Sequence, residues 1–398
     1  MSDQELPLAG IKVLEMTHTV MGPTAGLILA DLGASVLKIE KTPKGDDTRH
    51  LKGFGAGFFP YFNRNKASLC LDLKSEKGAD VLNQLVKQAD VLIENFGPGT
   101  IERLGFGYDK VKKINPKLIF CSLKGFMPGP YEKRLALDEV VQMMGGLAYM
   151  TGPKGRPLRA GASVTDILGG TFGAVGILAA LREREKTGFG QLVKATLFES
   201  IALLMAQHMG VTALTGQDPP PMPERGRTWS VYDLFSTSDN EQVFIGITSD
   251  RHWKRFCETF GFDDFLNDPS LGSNQLRVEN RDKFLPELKN RLGSLTKSQI
   301  MTFAQKAVIP FAQVSKPGDL FDDPHLNDSG WLMKTELPNG QQAKFPKLPL
   351  KIGEHDLGLY KNPPKLGQGG KEWLLNSGFS AKAIDELISD QVLVDKQT

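Results

Sequence analysis

The sequence predicts an α/β protein: a large domain on a parallel, Rossmann-like sheet, joined to a smaller α+β domain. Three observations carry this. Short β-rich runs alternate with helical stretches through the first third of the 398 residues. A proline-rich stretch without apolar period, GQDPPPMPERGRT, interrupts the chain at 216–228. Beyond it, strand pairs flank obvious turns. The expected division is a large domain over 1–215, completed by about 335–398, a linker at 216–228 and a small domain over 229–334.

The runs IKVLEM, SVLKIE, DVLIENF and KLIFCSLKGF read as strands. GPTAGLILADLG reads as a helix, because Pro23 suits a first turn, where its missing N–H would be unpaired, and Gly33 suits the end. SEKGADVLNQLVKQA reads as the next helix, with Ser75 as its cap. A βαβαβ unit opens its crevices at the carboxyl ends of its strands, where His18, Val20, Met21 and Asn95 fall. QLVKATL continues the strand pattern, and FESIALLMAQHMGVTALTG is apolar and helical. In the small domain VYDLFST and QVFIGIT flank a turn at Asp239 and Asn240, and helical patterns run from about Arg251 to Ala307. WLMKTEL and AKFPKLPLKI flank Pro338, Asn339 and Gly340 in the same way.

With 40% hydrophobic residues the chain can bury sizeable cores. A formal net charge of +2 argues against nucleic acid or an anionic membrane surface as partner, so any anion site must be local. Cys70, Cys121 and Cys257 are few and widely spaced, as expected for inert thiols in a reducing compartment. The first ten residues show no secretory signal, and the expected location is the cytoplasm. No phosphate loop, nucleophile elbow or HExxH pair is present, GFGAGF at 53–58 lacks dinucleotide-fingerprint spacing, and the six histidines lack ligand spacing, so no metal is expected.

One segment stands apart: GASVTDILGGTFGAVGILAAL, residues 161–181, whose sole charge is Asp166. From Ile167 to before Arg182 the apolar part falls short of the ~20 residues of a spanning helix, so a buried helix is expected. Gly169, Gly170, Gly173 and Gly176 leave one face nearly bare for close approach. From the residues alone, Thr165 and Asp166 read as N-capping residues.

LAGIKVLEMT, GPTAGLILADLGASVLKIEK, YFNRNKASLCLDLKS, VLIENFGPGTIERLGFGYD, INPKLIFCSLKGF, ALDEVVQMMGGLAYMTG and the Asp166 segment follow one another in order. This series closely resembles the class III CoA-transferases, which include formyl-CoA transferase and the related 2-methylacyl-CoA racemases. The resemblance runs through roughly 8 to 200 and returns in part around 308 to 334. It implies that Asp166 is the nucleophile attacking an acyl-CoA thioester, passing through an acyl-aspartyl anhydride and an aspartyl-CoA thioester. A carboxylate at a helix N-terminus is expected to be ionised at neutral pH. The resemblance places Lys41, Lys74 and Arg103 at the adenosine and phosphate groups of CoA, and Asn95 and Phe96 along the pantetheine, with Val20 and Met21 beside them. Backbone amides around Gly145 and Gly146 are the candidate oxyanion donors. It further implies an intertwined homodimer, with CoA as a substrate and no permanently bound cofactor.

The departures bear on substrate. Leu137 stands where racemases carry a proton-transferring histidine, which disfavours racemisation. Val20 and Leu137 replace a glutamine and a tyrosine of formyl-CoA transferases, so oxalate is not expected. Val20, Met21, Leu137 and Met144 suggest an apolar acyl pocket, with Arg225 and Arg227 as candidates for a second carboxylate against their reading as linker charges. The expectation is a short dicarboxylic or branched acid. A racemase, an intramolecular CoA isomerase and a catalytically silent CoA-binding paralogue stay open. The ending PKLGQGGKEW lacks the family's usual histidine, and its role is open.

Overall fold

The computed structural model describes residues 5–224, 228–337 and 339–395. They form two compact units, Met1–Glu224 with Ser329–Thr398, and Arg225–Asp328. Each is described by itself.

The larger unit is built on a seven-stranded sheet. In chain order its elements are β1 (Lys12–Met16), α1 (Met21–Asp31), β2 (Ser35–Glu40), β3 (Lys66–Leu71), α2 (Glu76–Gln88), β4 (Val91–Glu94), α3 (Tyr108–Ile114) and β5 (Ile119–Lys124). Then come α4 (Asp138–Met144), α5 (Leu147–Thr151), α6 (Val164–Thr187), β6 (Leu192–Thr196) and α7 (Leu197–Thr215). The strands lie side by side as β3-β2-β1-β4-β5-β6, all parallel, and Leu393–Val394 adds an antiparallel edge beside β3. Order reverses between β1 and β4, which opens a crevice at their carboxyl ends.

Alternating strand residues fill two cores. Leu14, Leu37, Leu69, Leu92 and Phe120 pack on Val81, Leu82 and Leu85 of α2. Val13, Val36, Val91 and Ile119 pack on Ala25 and Leu29 of α1 and on Ile177 and Leu181 of α6. The bare face of α6 lies against α1, where a Cβ on Gly170 would stand 2.3 Å from the Met21 carbonyl oxygen. Only glycine permits that crossing.

Beneath the β1–α1 loop lies a buried ionic cluster. Lys38 Nζ sits 3.0 Å from Asp46 and 3.3 Å from Glu15, and donates to the Thr17 carbonyl at 2.8 Å. Lys66 Nζ sits 2.7 Å from Glu15 and donates to the Pro23 carbonyl at 3.0 Å. The cluster therefore ties the loop at both ends to the sheet. Burial works against the Lys38 charge, but Glu15 and Asp46 outweigh it and hold its pKa above the usual lysine value. Burial pushes Lys66 down to about 8 despite Glu15.

The smaller unit has a three-stranded antiparallel sheet, in which Val231–Ser236 and Gln242–Ile247 form the hairpin expected around Asp239 and Asn240, and Phe311–Gln313 adds the third strand. Trp253, Phe256, Phe265, Phe284 and Leu288 form its core. In the larger unit Leu332–Glu336 pairs with Gln342–Pro346; Pro338 of that turn lies outside the described residues. PKLGQGGKEW runs beside β3, with Ser68 donating its N–H to Gln368 at 2.8 Å and Arg49 donating to the Pro364 carbonyl at 2.9 Å.

One expectation needs correction. The helix around Asp166 extends over 24 residues, so α6, like the 19-residue α7, is long and apolar enough to cross a membrane by length and composition. Packing distinguishes the two. α6 lies against α1, β5 and β6, whereas only 22% of the apolar window of α7 is buried, leaving Leu203, Met209 and Leu214 exposed.

Candidate active site

The crevice between β1 and β4 is closed by a reciprocal pair of hydrogen bonds. His18 donates its backbone N–H to Asn95 Oδ1 at 3.0 Å, and Asn95 Nδ2 donates to the His18 carbonyl at 2.9 Å. Thr19 follows in the left-handed region, at φ 67°, which turns the chain into α1. Lys124, at the end of β5, bonds both Glu94 and the Phe96 carbonyl at 2.7 Å, fixing the loop after β4. These loops wall a cavity of about 410 Å³, closed on the other side by residues 134–138, Val140, Leu197 and Asp166.

Asp166 is the third residue of α6 and opens into this cavity. It does not cap the helix. The N-cap position is Ser163, which makes no side-chain cap bond. The capping carboxylate comes from α4: Asp138 accepts the Thr165 N–H at 2.9 Å, the Thr165 hydroxyl at 2.6 Å and, at longer range, the Asp166 N–H at 3.4 Å. Its other oxygen accepts from Gln142 Nε2 at 2.7 Å and pairs with Arg159 at 3.0 Å. Gln142 in turn accepts the Ala160 N–H at 2.8 Å.

The expected ionisation of Asp166 is corrected by the same geometry. Burial, and then the negative charge of Asp138, push its pKa up to about 7, with Arg159 opposing them. The helix N-terminus that was to stabilise the anion is already engaged by another carboxylate. Asp166 is thus divided between acid and carboxylate near neutrality. Its carboxylate form is more basic, and so more nucleophilic, than that of an ordinary aspartate.

The other residues singled out in the sequence divide into two groups. Met21, Asn95, Phe96 and Leu137 line the cavity with Asp166. Val20 does not: its side chain is fully buried with Leu27 and Phe62, because the turn at Thr19 directs it into the core. The Gly145 N–H is spent on the Val141 carbonyl at 2.8 Å, which removes it as an oxyanion donor, and neither Gly145 nor Gly146 lines the cavity. Lys41, Lys74 and Arg103 are exposed and outside the cavity lining. Lys41 pairs with Asp47 at 2.7 Å, and Arg103 bonds Thr100 Oγ1 at 2.8 Å. Arg225 and Arg227 lie outside the described residues.

Sequence reasoning missed Asp138, Gln142 and Arg159. No sequence signal pointed to them: Ser163, Thr165 and Asp166 are all residue types that suit an N-cap, and only the structure shows that Ser163 makes no cap bond. It also missed Lys124 and Arg134, the latter lining the cavity and lying 5.0 Å from the Tyr131 ring. Among the described residues no group of three or more His, Cys, Asp or Glu is placed to hold a metal ion.

Comparison with known proteins places this site in context. The family described as CoA-transferase family III matches residues 8–369. The chain is 28% identical to the human succinyl-CoA:glutarate CoA-transferase, covering 98% of this chain and 91% of that protein. It is 33% identical to the acetyl-CoA:oxalate CoA-transferase of Acetobacter aceti, covering 92% and 94% respectively. The solved structure of a CAIB/BAIF family protein from Brucella suis superposes with a TM-score of 0.86 at 31% identity, covering 94% of this chain and 100% of that one.

Proposed function

Since this chain belongs to CoA-transferase family III, we propose that it moves CoA from an acyl-CoA to a short dicarboxylic acid, with Asp166 as the covalent nucleophile. The observation that carries the proposal is the placement of Asp166: a partly buried carboxylate opening into the Asn95–Phe96 crevice, with its helix N-terminus already capped by Asp138. A dicarboxylic acceptor is supported by relatives named for glutarate and oxalate.

The steps balance as acyl transfers. An Asp166 carboxylate oxygen attacks the thioester carbonyl, the C–S bond breaks and CoA leaves as thiolate, giving a mixed anhydride. The thiolate then attacks the Asp166 carbonyl, and the donor acid departs as carboxylate. The acceptor carboxylate attacks the resulting aspartyl-CoA thioester and expels the thiolate again. The thiolate finally attacks the acceptor carbonyl of the new anhydride, releasing Asp166 and the product acyl-CoA. Raised nucleophile basicity favours the first attack. Lys74 and Arg103, exposed and basic, are proposed to meet the CoA phosphates at the rim.

The decisive experiment incubates the protein with succinyl-CoA and then hydroxylamine. A hydroxamate at Asp166, seen by peptide mass, and loss of CoA exchange in Asp166→Ala are expected. An Asp166→Ala variant that still exchanges CoA overturns the mechanism. A panel of labelled free acids identifies the acceptor and separates intermolecular from intramolecular transfer.

We also propose a homodimer. The uncovered apolar side chains of α6 and α7, among them Val175, Leu203, Met209 and Leu214, support a second copy as the cover. A stable folded monomer by light scattering at micromolar concentration would count against it. Cys121 and Cys257, buried and in no disulfide among the described residues, support a reducing compartment such as the cytoplasm.

A further inference from the structure

The chain between β5 and α4 carries three consecutive charges, Glu132, Lys133 and Arg134, and the fold sends them to different places. Glu132 faces Lys194 of β6 at 3.9 Å, and Glu132 and Lys133 line a second cavity, towards α3 and β6. Arg134 instead lines the cavity into which Asp166 opens. A turn puts it there: its backbone N–H donates to the Tyr131 carbonyl at 2.8 Å, and its guanidinium lies 5.0 Å from the Tyr131 ring and 5.8 Å from the Phe126 ring. These rings belong to an aromatic cluster anchored on α7, since the buried Phe126 packs 5.6 Å from Tyr131 and 5.5 Å from Phe198. Stacking on ring faces orients a guanidinium while leaving its N–H donors unspent.

Those donors have no internal acceptor. Among the described residues, no side-chain hydrogen bond or ion pair engages the Arg134 guanidinium. The other charged groups that line the cavity, Asp166 apart, are committed. Lys124 pairs with Glu94 at 2.7 Å, and Asp138 holds Thr165 and pairs with Arg159 at 3.0 Å. His18 bonds Thr19 through Nδ1 at 2.9 Å, and Asn95 is spent on the His18 backbone. Much of the remaining wall is apolar, with Met21, Phe96, Leu135 and Leu137 among its side chains. One pre-oriented guanidinium in such a crevice selects an anion, and its forked donors match a carboxylate.

We propose that Arg134 is a specificity-determining residue that binds the second carboxylate of the substrate while the first reacts at Asp166. The proposal rests on the reading of the protein as a CoA-transferase for short dicarboxylic acids, and deepens it by naming the group that tells such an acid from a monocarboxylic one. The distal carboxylate is unchanged in both halves of the transfer, so the same guanidinium serves the acyl donor and the acceptor. An acid without that carboxylate leaves the donors of Arg134 unpaired beside apolar walls, and is discriminated against for that reason. Arg134 thus takes the role for which Arg225 and Arg227 were candidates in the sequence.

The test measures kcat/KM with succinyl-CoA as donor and, as acceptors, oxalate, succinate and glutarate against acetate, butyrate and pentanoate, the monocarboxylic acids of matching length. In a two-stage transfer this constant reports the acceptor half alone. The parent is expected to prefer a dicarboxylic acid, and Arg134→Gln to lose about 10- to 100-fold of that preference, as expected for a charge-assisted hydrogen-bonded pair. Arg134→Lys, which keeps the charge but not the fork, should retain part of it. Calorimetric titration with CoA should give the same Kd for Arg134→Gln and the parent, which also shows that the variant is folded. An unchanged preference in Arg134→Gln overturns the proposal. So does a loss of CoA affinity with the preference intact, which would place a CoA phosphate on the guanidinium instead. A parent that prefers none of the dicarboxylic acids overturns the acceptor reading as well, whereas a parent preference that survives in Arg134→Gln overturns the role of Arg134 alone.

Discussion

The carboxylate of Asp138 caps a helix to which it does not belong, accepting both the backbone N–H of Thr165 at 2.9 Å and the Thr165 hydroxyl at 2.6 Å. One carboxylate thereby fixes the first turn of α6 and, with it, the direction in which Asp166 leaves the helix. Replacing Thr165 by valine keeps the shape and the amide but deletes the hydroxyl donor. A charge-assisted hydrogen bond in a buried setting contributes about 1.5–3 kcal/mol. Thr165→Val should lose that amount in urea denaturation, and Thr165→Ser should lose clearly less. Equal stability of Thr165→Val and the parent would show that the bond does not hold α6.

Asp166 itself should make the fold less stable at neutral pH. Its folded pKa, pushed up to about 7, lies above the ordinary 3.8 of the unfolded chain, so the folded state binds the extra proton between these values. Stability therefore falls as pH rises from about 4 to about 7, and levels off beyond. Asp166→Asn removes the group and should be more stable than the parent by about 4 kcal/mol at pH 8, with the gain shrinking towards pH 4. A gain independent of pH in thermal melts would contradict the assigned cause.

The two buried lysines beneath the β1–α1 loop should respond unequally to removal. Lys38 is held firmly charged by Glu15 and Asp46, whereas Lys66 is pushed down to about 8 and gives up its proton in mild alkali. Breaking a buried pair from one side leaves an uncompensated charge and costs about 3–5 kcal/mol. That loss is expected for Lys38→Met, with a smaller one for Lys66→Met. Chemical denaturation of both variants at pH 7 checks the order, and a larger loss for Lys66→Met would reverse the assignment.

Charge reversal at Lys74 or Arg103 should weaken CoA binding without affecting the fold. Both side chains are exposed, so neither supports the core, and their contribution to an anion must be screened by salt. Titration of Lys74→Glu and Arg103→Glu with CoA at low and high ionic strength should show about a tenfold loss at low salt and a much smaller one at high salt. Parent-like titrations would move the phosphate site elsewhere.

Much of this protein follows from local pattern. The β-rich runs from IKVLEM to KLIFCSLKGF become parallel strands because period, turn chemistry and helix signals agree along the chain, and the glycine face of α6 is used for close packing on α1. Asp166 and Asn95 could be singled out because each sits at the end of a recognisable element, whereas Phe96 and the roles expected of all three came from the resemblance to the class III CoA-transferases. What the sequence could not determine was which groups far apart in the chain share a dielectric environment. Asp138 lies 28 residues before Asp166, yet it takes the N–H groups that would have stabilised the nucleophile's charge and adds a charge of its own. Val20 turns away from the crevice because of one left-handed residue, and the Gly145 amide is consumed by its own helix. Local periodicity fixes which elements form. Ionisation and the supply of free donors depend on distances and burial across elements, and those exist only once the sheet, α4 and α6 have packed.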